Sequence, residues 1–213
     1  MDFDNDGKPD VLTGSYSPGE LYLFRQQADG QFAAGEILKD SKGSPIKQTA
    51  AVPFSVDWDG DGDLDLLVGN IQGKVFLIPN EGTREKPAFG QAQPLLPSGK
   101  LMVSGDAGPC VTDWDGDGKP DLLVGAGDGS VSWFRNIGEK GAPKLDAPVI
   151  LLKLPEGSIR AKICVTDWNG DGRMDLLVGD FASSSGANTE YHGWVWLYLR
   201  KAANVAQGST PSP

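Results

Sequence analysis

Long apolar runs are missing from this chain of 213 residues, and cysteine and histidine are nearly so. No stretch approaches the roughly 18 consecutive apolar residues of a membrane-spanning helix. The opening Met1-Asp2-Phe3-Asp4 lacks the charged-then-apolar pattern of a signal peptide. Two cysteines, Cys110 and Cys164, cannot staple a chain of this length, and no CxxC pair offers zinc ligands. One histidine, His192, leaves little material for a histidine metal site or relay. Basic residues are also in deficit: 19 Lys and Arg against 29 Asp and Glu give a formal charge of −10. That balance excludes nucleic acid and an anionic membrane surface as expected partners and favours cations. A sustained 3.6-residue period is absent as well, which argues against helices.

What the chain has is a repeat. DFDNDGKPDVLTG from Asp2, DWDGDGDLDLLVG from Asp57, DWDGDGKPDLLVG from Asp113 and DWNGDGRMDLLVG from Asp167 start 55, 56 and 54 residues apart. Apolar runs keep register between them: LYLF at Leu21, VFLI at Val75, VSWF at Val131 and VWLY at Val195. A short apolar stretch precedes each complete acidic loop, a Gly-terminated one follows it, and tight turns and Gly/Pro-rich links separate the rest. Four short antiparallel strands per unit, repeated, are the signature of β-propeller blades. The expected fold is all-β: four propeller blades of four-stranded antiparallel sheet, with repeats near 2–50, 51–106, 107–160 and 161–200 and a flexible tail over 201–213. The first repeat begins inside its loop and the fourth ends after its third strand, for about fourteen strands, so a fragment of a larger propeller is expected rather than a closed four-bladed ring.

Within each repeat, D-x-[DN]-x-D-G-x-x-D places oxygen ligands at loop positions 1, 3, 5 and 9, with a backbone carbonyl available at position 7. A hard cation such as Ca²⁺ takes six to eight oxygens and needs a sharp turn at position 6, where Gly7, Gly62, Gly118 and Gly172 stand. The candidate metal residues are Asp2, Asp4, Asp6, Lys8 and Asp10; Asp57, Asp59, Asp61, Asp63 and Asp65; Asp113, Asp115, Asp117, Lys119 and Asp121; and Asp167, Asn169, Asp171, Arg173 and Asp175. Fifteen of the 29 acidic residues occupy positions 1, 3, 5 and 9, and without them the chain would carry +5. Carboxylates crowded this closely repel one another unless a cation neutralises them. About four structural Ca²⁺ are expected. An EF-hand is excluded because position 12 is Thr13, Val68, Val124 or Val178 instead of a bidentate Glu.

The four copies of D-[FW]-[DN]-[NG]-D-G-x-x-D-[VL]-L-[TV]-G resemble the FG-GAP/VCBS repeats, whose blades are like those of integrin α-subunit propellers. LLVGAGDGSV at Leu122 to Val131 is similar to the family's second-strand and turn segment. The resemblance implies a calcium-stabilised propeller of about seven blades, exported to the cell surface, the extracellular space or the periplasm. It implies a role in adhesion, ligand binding or scaffolding, with a protein or carbohydrate ligand. N-terminal blades outside this sequence, or a second chain, would complete the ring.

Other residues follow from their place in the repeat. Phe3, Trp58, Trp114 and Trp168, at loop position 2, are expected to pack between blades. Cys110 and Cys164, each three residues before its loop, are expected to be buried free thiols. Loops joining strands two and three emerge opposite the acidic loops, so the fourth-repeat insertion, Phe181 to Gly193, should share that face with the inter-blade links. Tyr191, His192, Trp194, Asp106 and Arg160 are the candidate ligand-binding residues there. No nucleophile–base pair, GxSxG elbow or phosphate loop is present in the sequence, and a binding module is expected rather than an enzyme. A lectin-like or polysaccharide-acting propeller, with its site on that face or in blades outside this sequence, is the alternative.

Overall fold

Residues 1–95, 103–183 and 191–201 are described in the structure, a computed structural model of the chain. Part of the link PSGKLMVSGDAG, the middle of the fourth-repeat insertion and the expected tail from residue 202 lie outside the described residues.

Four antiparallel sheets follow one another along the chain. The first holds β1 (Val11–Gly14), β2 (Leu21–Phe24) and β3 (Glu36–Ile37). The second holds β4 (Val52–Val56), β5 (Asp65–Gly69), β6 (Val75–Ile78) and β7 (Gln93–Pro94). The third holds β8 (Gly108–Thr112), β9 (Asp121–Gly125), β10 (Ser130–Phe134) and β11 (Val149–Lys153). In the fourth, β13 (Asp175–Ser183) pairs with β12 (Ser158–Thr166) and β15 (Val195–Tyr198). Its far end also pairs with β14 (Tyr191–His192), which brings the strands among the described residues to fifteen.

In the second and third blades the strand after the acidic loop has both faces covered, which is why it reads as an unbroken apolar run. Leu66, Leu67 and Val68, and likewise Leu122, Leu123 and Val124, are 0% exposed. The apolar cores lie between blades. Phe3, Leu21 and Leu23 pack on Leu66, Val68 and Ala51; Trp58, Leu67 and Val75 on Ala107, Leu122 and Val124; Trp114, Leu123 and Val131 on Ala161, Leu176 and Val178. Each blade thus offers its loop aromatic and the start of its third strand forward, and the next blade answers with an alanine and a Leu-x-Val strand.

The alanine docks by its backbone. Ala51, Ala107 and Ala161 donate their N–H groups to Ser15, Asn70 and Ala126 of the preceding blade, at 3.2, 2.9 and 2.9 Å. Each is preceded by a non-glycine residue in the left-handed region: Ala50 (φ 54), Asp106 (φ 44) and Arg160 (φ 58). That conformation is strained for such residues, and a clip of two successive N–H bonds to the preceding turn offsets the strain. The alanine carbonyl then presses on the glycine closing the neighbouring second strand. A Cβ on Gly14, Gly69 or Gly125 would overlap Ala51 O, Ala107 O or Ala161 O.

The fourth blade is covered on one side only among the described residues. Trp58 and Trp114 are 5% and 8% exposed, as expected of aromatics packed between blades, but Trp168 is 59% exposed. Cys164 corrects the expectation of two buried thiols. Both cysteines are free, yet only Cys110 is buried, lying against Val165 of the fourth blade; Cys164 occupies the corresponding place on the face that no described blade covers. Overpacking a close interface costs about 1–3 kcal/mol, so Gly69→Ala or Gly125→Ala should lower the melting temperature by several degrees. Gly179→Ala, whose Cβ would meet nothing nearer than Lys162 O at 3.8 Å, should leave it nearly unchanged. Equal effects in thermal melts of the three variants would contradict this account of blade spacing.

Candidate metal loops and the opposite face

The ninth loop residue opens the second strand: Asp65, Asp121 and Asp175 pair with Val56, Thr112 and Thr166 of the strand before. Asp10, Asp65, Asp121 and Asp175 are at most 5% exposed. One carboxylate oxygen of each accepts the N–H of the loop aromatic, from Phe3, Trp58, Trp114 or Trp168, at 3.0 to 3.2 Å. The other accepts the N–H of Gln26, Asn80, Asn136 or Arg200, beyond the third strand, at 2.7 to 2.9 Å. Every such carboxylate therefore ties the start of the loop to the end of the third strand. Burial raises the carboxyl pKa of Asp65 and Asp121 above the usual range, and the backbone N–H donors pull it back.

The rest of each loop is wound on its own carboxylates. The first Asp accepts the N–H of the position-6 glycine at 3.0, 3.1, 2.9 and 2.8 Å in the four loops. Those glycines sit at φ 85, 99, 85 and 81, a region that favours glycine. Positions 3 and 5 each accept the N–H two residues ahead through Oδ1, which leaves Oδ2 of every aspartate there free of backbone donors. Oxygens from Asp2, Asp4 and Asp6 lie within 4.8 Å of one another; so do those of Asp57, Asp59 and Asp61, and of Asp113, Asp115 and Asp121. The fourth loop has Asn169 in the corresponding place, and its Nδ2 donates to Asp171 Oδ2 at 3.0 Å.

Basic side chains neutralise the loops unequally. Arg25 pairs with Asp4 and Lys8 with Asp6; Arg135 reaches Asp115 at 2.5 Å and Asp117 at 3.3 Å; Arg173 holds Asp171 at 2.6 Å. Arg25 and Arg135 were not among the sequence candidates, although both directly follow the third strand. Pro79 takes their place in the second blade, and Asp63 stands where the other loops have Lys8, Lys119 or Arg173. The second loop therefore carries five aspartates, and none pairs with a basic group among the described residues. Asp63 Oδ1 is buried with no hydrogen-bond partner. Burial first, then the charges of Asp61, Asp65, Asp59 and Asp57, push its pKa up to about 6. An orphaned carboxylate oxygen among four more carboxylates fits a hard divalent cation.

At the opposite end of the blades the candidate binding residues fall into two clusters, Asp106, Arg160 and Tyr191 around Phe181, and His192 with Trp194. Arg160 Nε donates to Asp106 Oδ2 at 3.2 Å, and its guanidinium lies 5.4 Å from the Phe181 ring centre. Phe181 stacks on Tyr191 at 5.6 Å and 24°, while His192 and Trp194 meet at 6.0 Å and 75°. Tyr191 and Trp194 are 69% and 59% exposed. Asp180, which no motif singled out, organises the second pair. It accepts the Trp194 N–H at 2.6 Å and the Trp196 indole N–H at 3.0 Å. Burial raises its pKa, but hydrogen bonds from Ser158, Trp194 and Trp196 outweigh that and hold it below the usual value.

One four-stranded unit with one acidic loop, repeated around inter-blade cores, defines a β-propeller of acidic-loop repeats. The chain belongs to the FG-GAP-like repeat family, whose profile matches residues 2–68, 57–124 and 113–178. It is 31% identical to cartilage acidic protein 1 of Mus musculus over 137 residues, 60% of this chain and 20% of that protein. It is 29% identical to integrin alpha pat-2 of Caenorhabditis briggsae over 130 residues, 57% of this chain and 10% of that one. With phosphatidylinositol-glycan-specific phospholipase D of Rattus norvegicus it shares 25% identity over an alignment of 215 positions, gaps included, that covers 82% of this chain and 25% of the relative. The chain thus spans a quarter or less of the length of these relatives. No helix among the described residues is long and apolar enough to cross a membrane.

A raised carboxyl pKa has a defined sign. The folded state holds the Asp63 proton more tightly than the unfolded state, so the stability it adds is full below about pH 3.8 and is lost as pH rises through about 6. In chelator, Asp63→Asn should match the parent near pH 4 and exceed it by on the order of 2 kcal/mol at pH 7. Excess Ca²⁺ should cancel the difference. Denaturation curves at both pH values test this, and an Asp63→Asn variant no more stable than the parent at pH 7 would refute it.

Proposed function

We propose that this chain is a calcium-stabilised binding or adhesion module, exported from the cell, that captures a protein or carbohydrate ligand on the face opposite its acidic loops. The observation that carries the calcium reading is the second loop, where five aspartates converge without a basic partner and Asp63 Oδ1 is buried without any. Bound there, Ca²⁺ would supply charge neutralisation and a rigid joint between the first two strands of a blade. The free Oδ2 atoms at positions 3 and 5, the first aspartate and the carbonyl at position 7 are the groups that would hold it. The ninth-position carboxylates orient the loop from within the blade.

Binding rather than catalysis is the reading these commitments support, because the clustered carboxylates are engaged by backbone N–H groups and, outside the second loop, by basic side chains. Cartilage acidic protein 1 and an integrin alpha among the relatives support an exported, adhesive role. Exposed Tyr191 and Trp194 favour the opposite face as the recognition surface.

Calcium at 100 times its dissociation constant adds about 2.7 kcal/mol per site, so melts in excess Ca²⁺ and in EDTA should separate clearly. Coincident midpoints would sink the calcium reading. Stepwise titration should find the second loop tightest and the fourth weakest, since affinity follows ligand charge and the fourth loop has Asn169 with Arg173 on Asp171. Asn169→Asp should tighten one site alone; a weakened site would count against the ranking. Replacing Phe181 to Gly193 by a short turn should abolish ligand capture while calcium binding and the melting temperature persist. Capture by the shortened chain would place recognition elsewhere.

A further inference from the structure

A cleft of about 330 Å³ opens between the third and fourth blades, away from the acidic loops, lined by Pro155, Glu156, Ser158, Ala182, His192, Trp194 and Trp196 among its walls. Its position follows from strand alternation. Val195 points forward and is 74% exposed, while Trp196 turns back onto the core between blades three and four. Asp180 accepts the Trp196 indole N–H and the Trp194 backbone N–H, which holds the Trp196 ring and the backbone that carries Trp194. The His192 and Trp194 rings, 6.0 Å apart and inclined by 75°, form a corner.

The polar groups decide what such a corner takes. A sugar needs several free donors and acceptors, but the Trp196 N–H is spent on Asp180. What remains is aromatic surface, the exposed Glu156 carboxylate at the rim and the ionised Asp180 behind the wall. No Lys or Arg stands among these lining residues. The same chain fills comparable arrangements with its own cations. Arg160 lies between the Asp106 carboxylate and the Phe181 ring, and the Arg200 guanidinium lies 4.6 Å from the Trp114 ring centre. A cation over an aromatic face is attracted by the ring quadrupole, most strongly by tryptophan, and a chain of net charge −10 draws cations toward it.

We propose that this cleft binds an organic cation, a guanidinium or alkylammonium group, held by Trp194 and Trp196 and oriented by Glu156. The assignment rests on reading this face as the recognition surface, and it names the ligand chemistry there.

The test uses the whole chain, ¹⁵N-labelled and loaded with Ca²⁺, with the tryptophan indole N–H signals as reporters. Acetyl-arginine-amide and choline are titrated beside neutral acetyl-citrulline-amide and N-acetylglucosamine. Both cations should shift the Trp194 and Trp196 signals saturably, with those of Trp58 and Trp114 unmoved, and neither neutral compound should. Trp194→Ala should weaken cation binding about fivefold or more and Glu156→Gln about threefold, the loss of one modest cation–π or charge contact. Unmoved Trp58 and Trp114 signals in both variants show that the blades remain folded. Tighter binding of the arginine derivative would point to a basic side chain of a protein partner, and tighter binding of choline to a quaternary ammonium group. Failure of either cation to saturate, or an equal response to the citrulline derivative, overturns the proposal. A saturable response to the sugar alone would overturn the cation assignment and keep the face as the recognition surface. Unchanged cation affinity in Trp194→Ala would overturn the site.

Discussion

Four buried carboxylates hold the architecture together. A lone charge in a protein interior is expensive unless several hydrogen bonds satisfy it, and the ninth loop aspartate meets that condition the same way in every blade. One oxygen takes the N–H at the head of the loop and the other the N–H that ends the third strand. The bond partners come from segments about 22 residues apart in the first three blades, as Trp58 and Asn80 in the second, and 32 apart in the fourth, Trp168 and Arg200. Loop shape, strand register and blade width are thereby coupled, and the remaining carboxylates are presented outward as a crowded cluster whose repulsion the fold must accommodate.

The accommodation differs from blade to blade. Blades one and three carry an arginine just past the third strand that folds back on the loop, and blade four uses Arg173 from within it. Blade two has neither and adds a further aspartate. Four loops that look interchangeable as a motif are therefore electrostatically distinct, because the compensating charges lie outside the motif.

The same distinction explains what could be read from the residues. The period, the strand order and the acidic loops were legible because each is a local pattern repeated in register: D-x-D-x-D-G fixes its own turn, and the LLV that follows it in the second and third blades is apolar because it is covered on both sides. Arg25 and Arg135 escaped notice because a single arginine after an apolar run is common, and its partner lies about 20 residues away, as Asp4 and Asp115 do. The clip at Ala50, Asp106 and Arg160 was illegible for a different reason. Three unrelated side chains share one backbone conformation, and side-chain identity does not encode it. Asp180 was equally silent, since its role appears only once β14 and β15 fold back beside β13. Trp168 and Cys164 were assigned by analogy with their equivalents, and the analogy fails where no described blade lies beyond them.

Because the apolar cores lie between blades, a blade owns only half of any core. The unit of cohesion is the junction, and the chain behaves as a one-dimensional stack whose neighbours stabilise one another in pairs. Disturbing the middle junction, where Ala107 meets Gly69 and Trp58 meets Leu122, leaves two shorter stacks, each with a single intact core. Unfolding would then lose its all-or-none character and proceed in blocks. The junctions in such a molecule act as breakable couplings, and evolution can lengthen the stack or shorten it at a junction without redesigning what lies on either side.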